Sequence, residues 1–174
     1  FKYFQHTYGP PASKEFQQAR MRFIASMAGY AVACYILQVK DRHNGNILID
    51  RDGHVVHIDF GFIFESVPGG NIITFEVAPF KLSSEMIMIM GGTNSEPFRY
   101  FVQQSVKAFL AVRPYAETIC TLVELLLDMQ LPCFRTSQII EHLRARFVPD
   151  RTEKGAAKFM TNKVFEAFGA LGSG

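Results

Sequence analysis

Tryptophan is absent from these 174 residues, and cysteine is scarce: Cys34, Cys120 and Cys133 form no CxxC pair and have no histidines at zinc-site spacing. An odd count without pairing motifs argues against a disulfide framework or a structural zinc module, and reads as reduced thiols in a cytosolic protein. Charge of one sign is also lacking. A net charge of +2, with no block of Lys or Arg, gives no patch that tracks a phosphate backbone, so nucleic acid is not an expected partner. The opening FKYFQHTYGPPASKE has no basic start leading into an apolar run, so no signal peptide is read there. FIASMAGYAVACYILQV, from Phe23 to Val39, carries no charge for 17 residues. That is the short edge of what spans roughly 30 Å of hydrocarbon, and KDR follows at once, so a buried helix is expected. There is no repeat, low-complexity segment or splitting linker. A composition 48% hydrophobic and 20% charged fits one domain with a real core.

The pattern along the chain predicts a mostly α fold with a small β-hairpin, an α+β arrangement. Gly9-Pro10-Pro11 breaks the chain, and Ser13 caps a helix from about Lys14 to Gln38 with Glu15 in its first turn. Later helices are expected from Ser83-Ser84-Glu85 to Gly91-Gly92, from Glu96 to Val112, and from Pro114 to about Gln130. Two more run from Thr136 or Ser137 to Phe147 and from Thr152 to about Phe168. Between the first two lies a hairpin, Asn46 to Asp50 and Val55 to Asp59, with Asp52-Gly53 as its turn. A loop of about twenty residues follows, Phe60 to Leu82, and loops of that length are usually functional.

If Asp52-Gly53 is the turn, Asn46 stands opposite Asp59. Their oxygens would share one hard cation, because Mg²⁺ takes one or two side chains and fills its shell with water and substrate phosphate; Mn²⁺ would serve as well. Asp41 and His43 stand just before the first strand on the same side. That combination suits phosphoryl transfer, with a cation bridging phosphates and a base receiving the proton of the attacking hydroxyl. Imidazoles as a class accept protons near neutrality, which favours His43 at the hydroxyl and Asp41 as its orienter; the opposite assignment also stands. Arg42 is expected to pair with a carboxylate and hold the loop. His57 reads as a packed support.

DRHNGN followed by HIDFG resembles the catalytic and metal-binding loops of the phosphatidylinositol 3-/4-kinase superfamily, in which the protein-kinase order HRD is reversed. PGGN, MIMIMGG, FLAVRPY and LPCFR resemble the type III phosphatidylinositol 4-kinases, and FESVPGGN is most similar to their alpha form. NIITFEVAP, in the middle of the long loop, departs from that pattern, where a Trp or a more acidic stretch is expected.

The resemblance implies a C-terminal lobe of a protein-kinase-like lipid kinase fold over residues 1–174, with a catalytic loop at about 39–47 and an activation loop at about 58–82. It implies ATP and Mg²⁺ as cofactors and the inositol 4-hydroxyl of phosphatidylinositol as acceptor. Catalytic roles fall on Asp41, Arg42 and His43, metal roles on Asn46 and Asp59. The head group is read by the loop carrying Phe60, Gly61, Glu65, Pro68, Gly69, Gly70, Asn71 and Lys81. That loop holds Glu65, Glu76 and a lone Lys81, whereas phosphorylated head groups call for several Lys or Arg, so an unphosphorylated inositol is favoured. Neither Gly69-Gly70 nor Gly91-Gly92 supplies a Gly-rich strand-turn with a following Lys, so an N-terminal ATP-covering lobe and a helical domain of a longer protein are expected partners. A cytoplasmic protein, peripheral at the plasma membrane or an endomembrane, follows from the resemblance. Two other readings are a protein kinase of the same superfamily and a truncated, silent lobe with a binding role. In the terminal helix, Phe159, Met160, Val164, Phe165 and Phe168 make one broad apolar face, suited to core or to a membrane surface.

Overall fold

The computed structural model describes residues 1–64, 78–127, 129 and 138–169. Helix α1 (Lys2–Tyr8) leads into α2 (Lys14–Leu37), and a 3₁₀ turn (Asn44–Asn46) precedes β1 (Ile47–Ile49) and β2 (Val55–His57). Then come α3 (Ser84–Met90), α4 (Glu96–Val112), a 3₁₀ turn (Arg113–Tyr115), α5 (Ala116–Leu127), α6 (Ile139–Arg146) and α7 (Glu153–Gly169). The α+β reading stands, with α1 an addition that the sequence pattern did not indicate. Ser13, Ser83 and Ser95 each accept the amide three residues on, at Phe16, Met86 and Phe98, which fixes the starts of α2, α3 and α4. The expected caps Thr136 and Ser137 lie outside the described residues, as does Cys133.

In the absence of tryptophan, phenylalanine fills the core. Phe4, Phe16, Phe23, Phe98, Phe101, Phe109 and Phe147 are fully buried, each worth roughly 1.5–3 kcal/mol of transfer from water. Phe4 meets Phe16 and Phe23 edge-on at 5.9 and 5.5 Å, locking α1 onto α2. Helix α2 packs on α4, and α4 on α7. No helix among the described residues is long and apolar enough to cross a membrane. The face of α7 divides: Met160 and Val164 are fully buried with Ala156, while Phe165 and Phe168 are 50% and 38% exposed.

One stripe of α2 carries the hairpin. The Arg22 guanidinium reaches the Asp52 carbonyl, the Ser26 hydroxyl accepts from Val55 N–H at 2.8 Å, and Tyr30 stacks on His57 at 4.2 Å. These residues recur every four positions, the spacing that keeps side chains on one helix face. At its start, a Cβ on Gly53 would lie 2.9 Å from the Ala19 carbonyl, and Gly53 has φ +97°, so only glycine fits both demands.

That glycine also corrects the expected register. The hairpin loop is Arg51-Asp52-Gly53, closed by Asp50 N–H to His54 C=O at 2.9 Å, not the two-residue Asp52-Gly53 turn. Partners are Ile47 with His57, Leu48 with Val56 and Ile49 with Val55. Asn46 therefore faces Ile58, whose N–H donates to its carbonyl at 3.0 Å, and Asp59 lies one residue further along.

Candidate active site

Both polar segments are held by backbone before any side chain acts. Lys40 N–H donates to Phe62 C=O at 2.9 Å and Phe64 N–H to Leu37 C=O at 2.8 Å, so the chain after Asp59 returns alongside the entry to the Asp41–Asn46 loop. Of the five non-glycine residues with positive φ among those described, Gln38, Asp41, Asp59 and Phe64 lie in this small region. Left-handed backbone is uncommon outside glycine and gathers where surrounding structure imposes it, as at functional sites.

Asp41, His43 and Asn46 form one hydrogen-bonded loop. The buried Asn46 amide donates to the Asp41 carbonyl at 2.8 Å and accepts His43 N–H at 3.2 Å. The His43 ring accepts Gly45 N–H at Nδ1, 3.0 Å away. Neutral His43 in this pose therefore carries its proton on Nε2, a donor facing outward.

Arg42, expected to pair with a carboxylate, pairs with none among the described residues. It is 2% exposed and its guanidinium donates to carbonyls: to Lys40 at 2.9 Å, to Ile58 at 2.7 Å and to Asp59. The group lies 5.6 Å over the Phe60 ring. It thus ties the Asp41–Asn46 loop to the segment bearing Asp59, whose side chain is exposed and accepts Gly61 N–H at 3.4 Å.

Beneath the site, His57 is buried with Nδ1 3.7 Å from Cys34 Sγ, and its Nε2 has no partner among the described residues. Burial first and the nearby Arg42 charge second lower its pKa to about 4, while burial raises that of Cys34 to about 11. The ring is neutral and packed, as expected for a support. Above it, Leu48, Val56, Ile58 and Phe60 expose 46%, 36%, 40% and 48% of their surface, an apolar face on the hairpin's outer side.

The structure brings Asp41, Arg42, His43, Asn46, Asp59, Phe60 and Gly61 together. Lys81 is half-buried ahead of α3, whereas Glu65, Pro68, Gly69, Gly70 and Asn71 lie outside the described residues. Sequence reasoning passed over Gly45 and Lys40. The signal for Gly45 was its place beside His43: a Cβ there would lie 2.9 Å from the imidazole.

A mostly helical lobe with a short hairpin, and a polar loop clamped beside an Asp-Phe-Gly segment, has the kinase-like lipid kinase fold. The chain belongs to the phosphatidylinositol 3- and 4-kinase family, whose model matches residues 1–136. It is 52% identical over 169 residues to phosphatidylinositol 4-kinase stt4 of Schizosaccharomyces pombe, covering 97% of this chain and 9% of that protein. To phosphatidylinositol 4-kinase STT4 of Saccharomyces cerevisiae the identity is 46%, over 98% of this chain and 9% of the relative. To phosphatidylinositol 4-kinase alpha 2 of Arabidopsis thaliana it is 47%, over 97% and 32%. The chain thus spans a minor part of the length of each of these relatives.

Proposed function

We propose that this chain is the phosphate- and acceptor-handling lobe of a phosphatidylinositol 4-kinase, moving the γ-phosphate of ATP to the inositol 4-hydroxyl of phosphatidylinositol. The observation that carries the proposal is the Arg42 clamp, which fixes the Asp59 backbone beside the Asp41–Asn46 loop. Membership of the family supports it, and the names of the relatives favour a lipid acceptor over a protein.

The donor set suits a hard divalent cation. Asp59 offers an exposed carboxylate, and the Asn46 amide oxygen, which accepts one hydrogen bond, keeps a second lone pair. Mg²⁺ held there with the phosphates of ATP would neutralise charge on the transferred group. Asn46 has a second duty, since its amide also shapes the loop that presents Asp41 and His43. Because His43 Nδ1 is taken by Gly45 N–H, its outward Nε2–H is placed to donate to a phosphate oxygen, which leaves the Asp41 carboxylate to receive the hydroxyl proton. This reverses the preference drawn from the sequence. Arg42 positions both segments and touches no reacting atom.

The bare hairpin face of Leu48, Val56 and Ile58 is assigned to the base of ATP and to an N-terminal lobe in a longer protein. Residues 1–174 are accordingly the C-terminal lobe, with the activation loop reading an unphosphorylated inositol. Exposed Phe165 and Phe168 on α7 suit the interfacial layer of a bilayer, so the protein is peripheral at membranes.

The test is transfer from ATP to phosphatidylinositol vesicles, with this chain and with an N-terminally extended protein of the relatives' length, the product isomers being separated. The extended protein is expected to yield the 4-phosphate and this chain none. An extended, folded protein that phosphorylates no inositol lipid would overturn the proposal.

A further inference from the structure

We propose that a cleft bounded by the end of α2 and the turn after it, by Ala78, Pro79 and Phe80 ahead of α3, by the end of α6 and by the middle of α7 binds a phosphate-ester anion, beside the phosphoryl-transfer residues and not on them. The cleft measures about 320 Å³, ample for a phosphate group, and neither Asp41, His43 nor Asp59 lines it. Lys40, Arg146 and Lys163 do, with Tyr35 and Phe159 as apolar walls. Three elements far apart in sequence thus each send one cation to a single cavity.

Arg146 is the centre of the argument. Its Nε donates to the Tyr35 carbonyl at 2.5 Å, the Tyr35 hydroxyl donates back to the Arg146 carbonyl at 3.1 Å, and the guanidinium lies 4.3 Å over the Tyr35 ring. This reciprocal lock uses one of five N–H donors and fixes the plane of the fork. No carboxylate among the described residues pairs with it. Arg146 is half-buried, and that burial lowers its pKa, as expected of a guanidinium partly withdrawn from water with no carboxylate beside it among the described residues. A cation held so is costly unless a ligand supplies the missing charge.

Lys163 sits 5.4 Å from the Phe159 ring and is braced by Glu166 at 2.6 Å. The Lys40 ammonium is engaged by the Gln38 carbonyl at 3.4 Å and the Phe64 carbonyl, so it contributes field more than a free donor. A rigid fork beside a point charge is the arrangement that receives a phosphate oxygen pair. An anion seated there would also rest against the Gln38–Lys40 turn that enters the catalytic loop.

The inference stands independently of the kinase reading. Two sources share this chemistry, a membrane phospholipid and a soluble phosphate, and two probes separate them. Titration calorimetry with inorganic phosphate at matched ionic strength tests the soluble source. Co-sedimentation with phosphatidylcholine vesicles containing phosphatidic acid, against phosphatidylcholine alone, tests the lipid one. Binding of either probe is expected to weaken at least tenfold in Arg146→Lys, which keeps the charge and stem but loses the fork, and in Lys163→Gln. Circular dichroism establishes that both variants are folded. Failure of both probes to bind the unaltered protein, or binding unchanged in both folded variants, overturns the proposal.

Discussion

Arg42 reaches across sixteen positions to donate to the carbonyl of Ile58 at 2.7 Å, and with the same guanidinium holds that of Asp59. Removing it leaves the part-buried carbonyls of Lys40, Ile58 and Asp59 without its donors and takes a buried side chain from under the Phe60 ring. Arg42→Lys retains charge but serves fewer acceptors, so a destabilisation of about 2–3 kcal/mol is expected, measured by urea unfolding. In the extended enzyme turnover should fall at least a hundredfold at temperatures where the variant remains folded.

Gly45→Ala isolates the orientation of His43. The new methyl would lie 2.9 Å from the imidazole, and since His43 is exposed, the ring can swing away at small cost in stability. It would then lose the bond from Gly45 N–H that fixes its tautomer. Turnover is expected to drop by one to two orders of magnitude with the melting temperature nearly unchanged. A variant as active as the parent would mean that the ring's pose is irrelevant to the reaction.

His57 predicts an acid limb. With its folded-state pKa near 4 and an unfolded value near 6.5, the unfolded chain binds more protons between those values. Its contribution is fully present above about pH 6.5 and is lost as pH falls toward 4, by roughly 2–3 kcal/mol. Stability against pH should flatten in that window in His57→Phe, where a ring still stacks on Tyr30. An unchanged slope would assign the acid sensitivity elsewhere.

Much of this was legible in the sequence, for local reasons. Serine caps and glycine stops announce helices because they satisfy particular amides and permit particular φ values, and Ser13, Ser83 and Ser95 do so here. The polar site was legible because its residues cluster within two short segments. What could not be read depends on contacts between distant residues. Asp52-Gly53 fits either a two- or a three-residue loop; the packing of Gly53 on Ala19 accompanies the longer one, and the shift sets Asn46 opposite Ile58, with Asp59 the next residue along. Arg42 was expected to seek a carboxylate because sequence displays side-chain charges and hides carbonyls. Within α7, periodicity grouped Met160 with Phe165, but only the packing of α4 decides which of them is covered.

Exposed Phe165 and Phe168 predict weak binding of this chain to anionic vesicles. Changing both to Ser should reduce co-sedimentation severalfold without loss of helicity by circular dichroism, since neither residue is buried. Binding that persists undiminished would place the membrane contact on another surface.

The central claim is that Asp59 holds the cation that bridges the phosphates of ATP. The most direct measurement is transfer from ATP to phosphatidylinositol vesicles by the extended enzyme and its Asp59→Asn variant, matched for folding by circular dichroism and melting. Loss of at least about a thousandfold is predicted, because electrostatic stabilisation of the transferred group is the largest part of such catalysis. Turnover within about tenfold of the parent, a barrier change under about 1.4 kcal/mol, would contradict it.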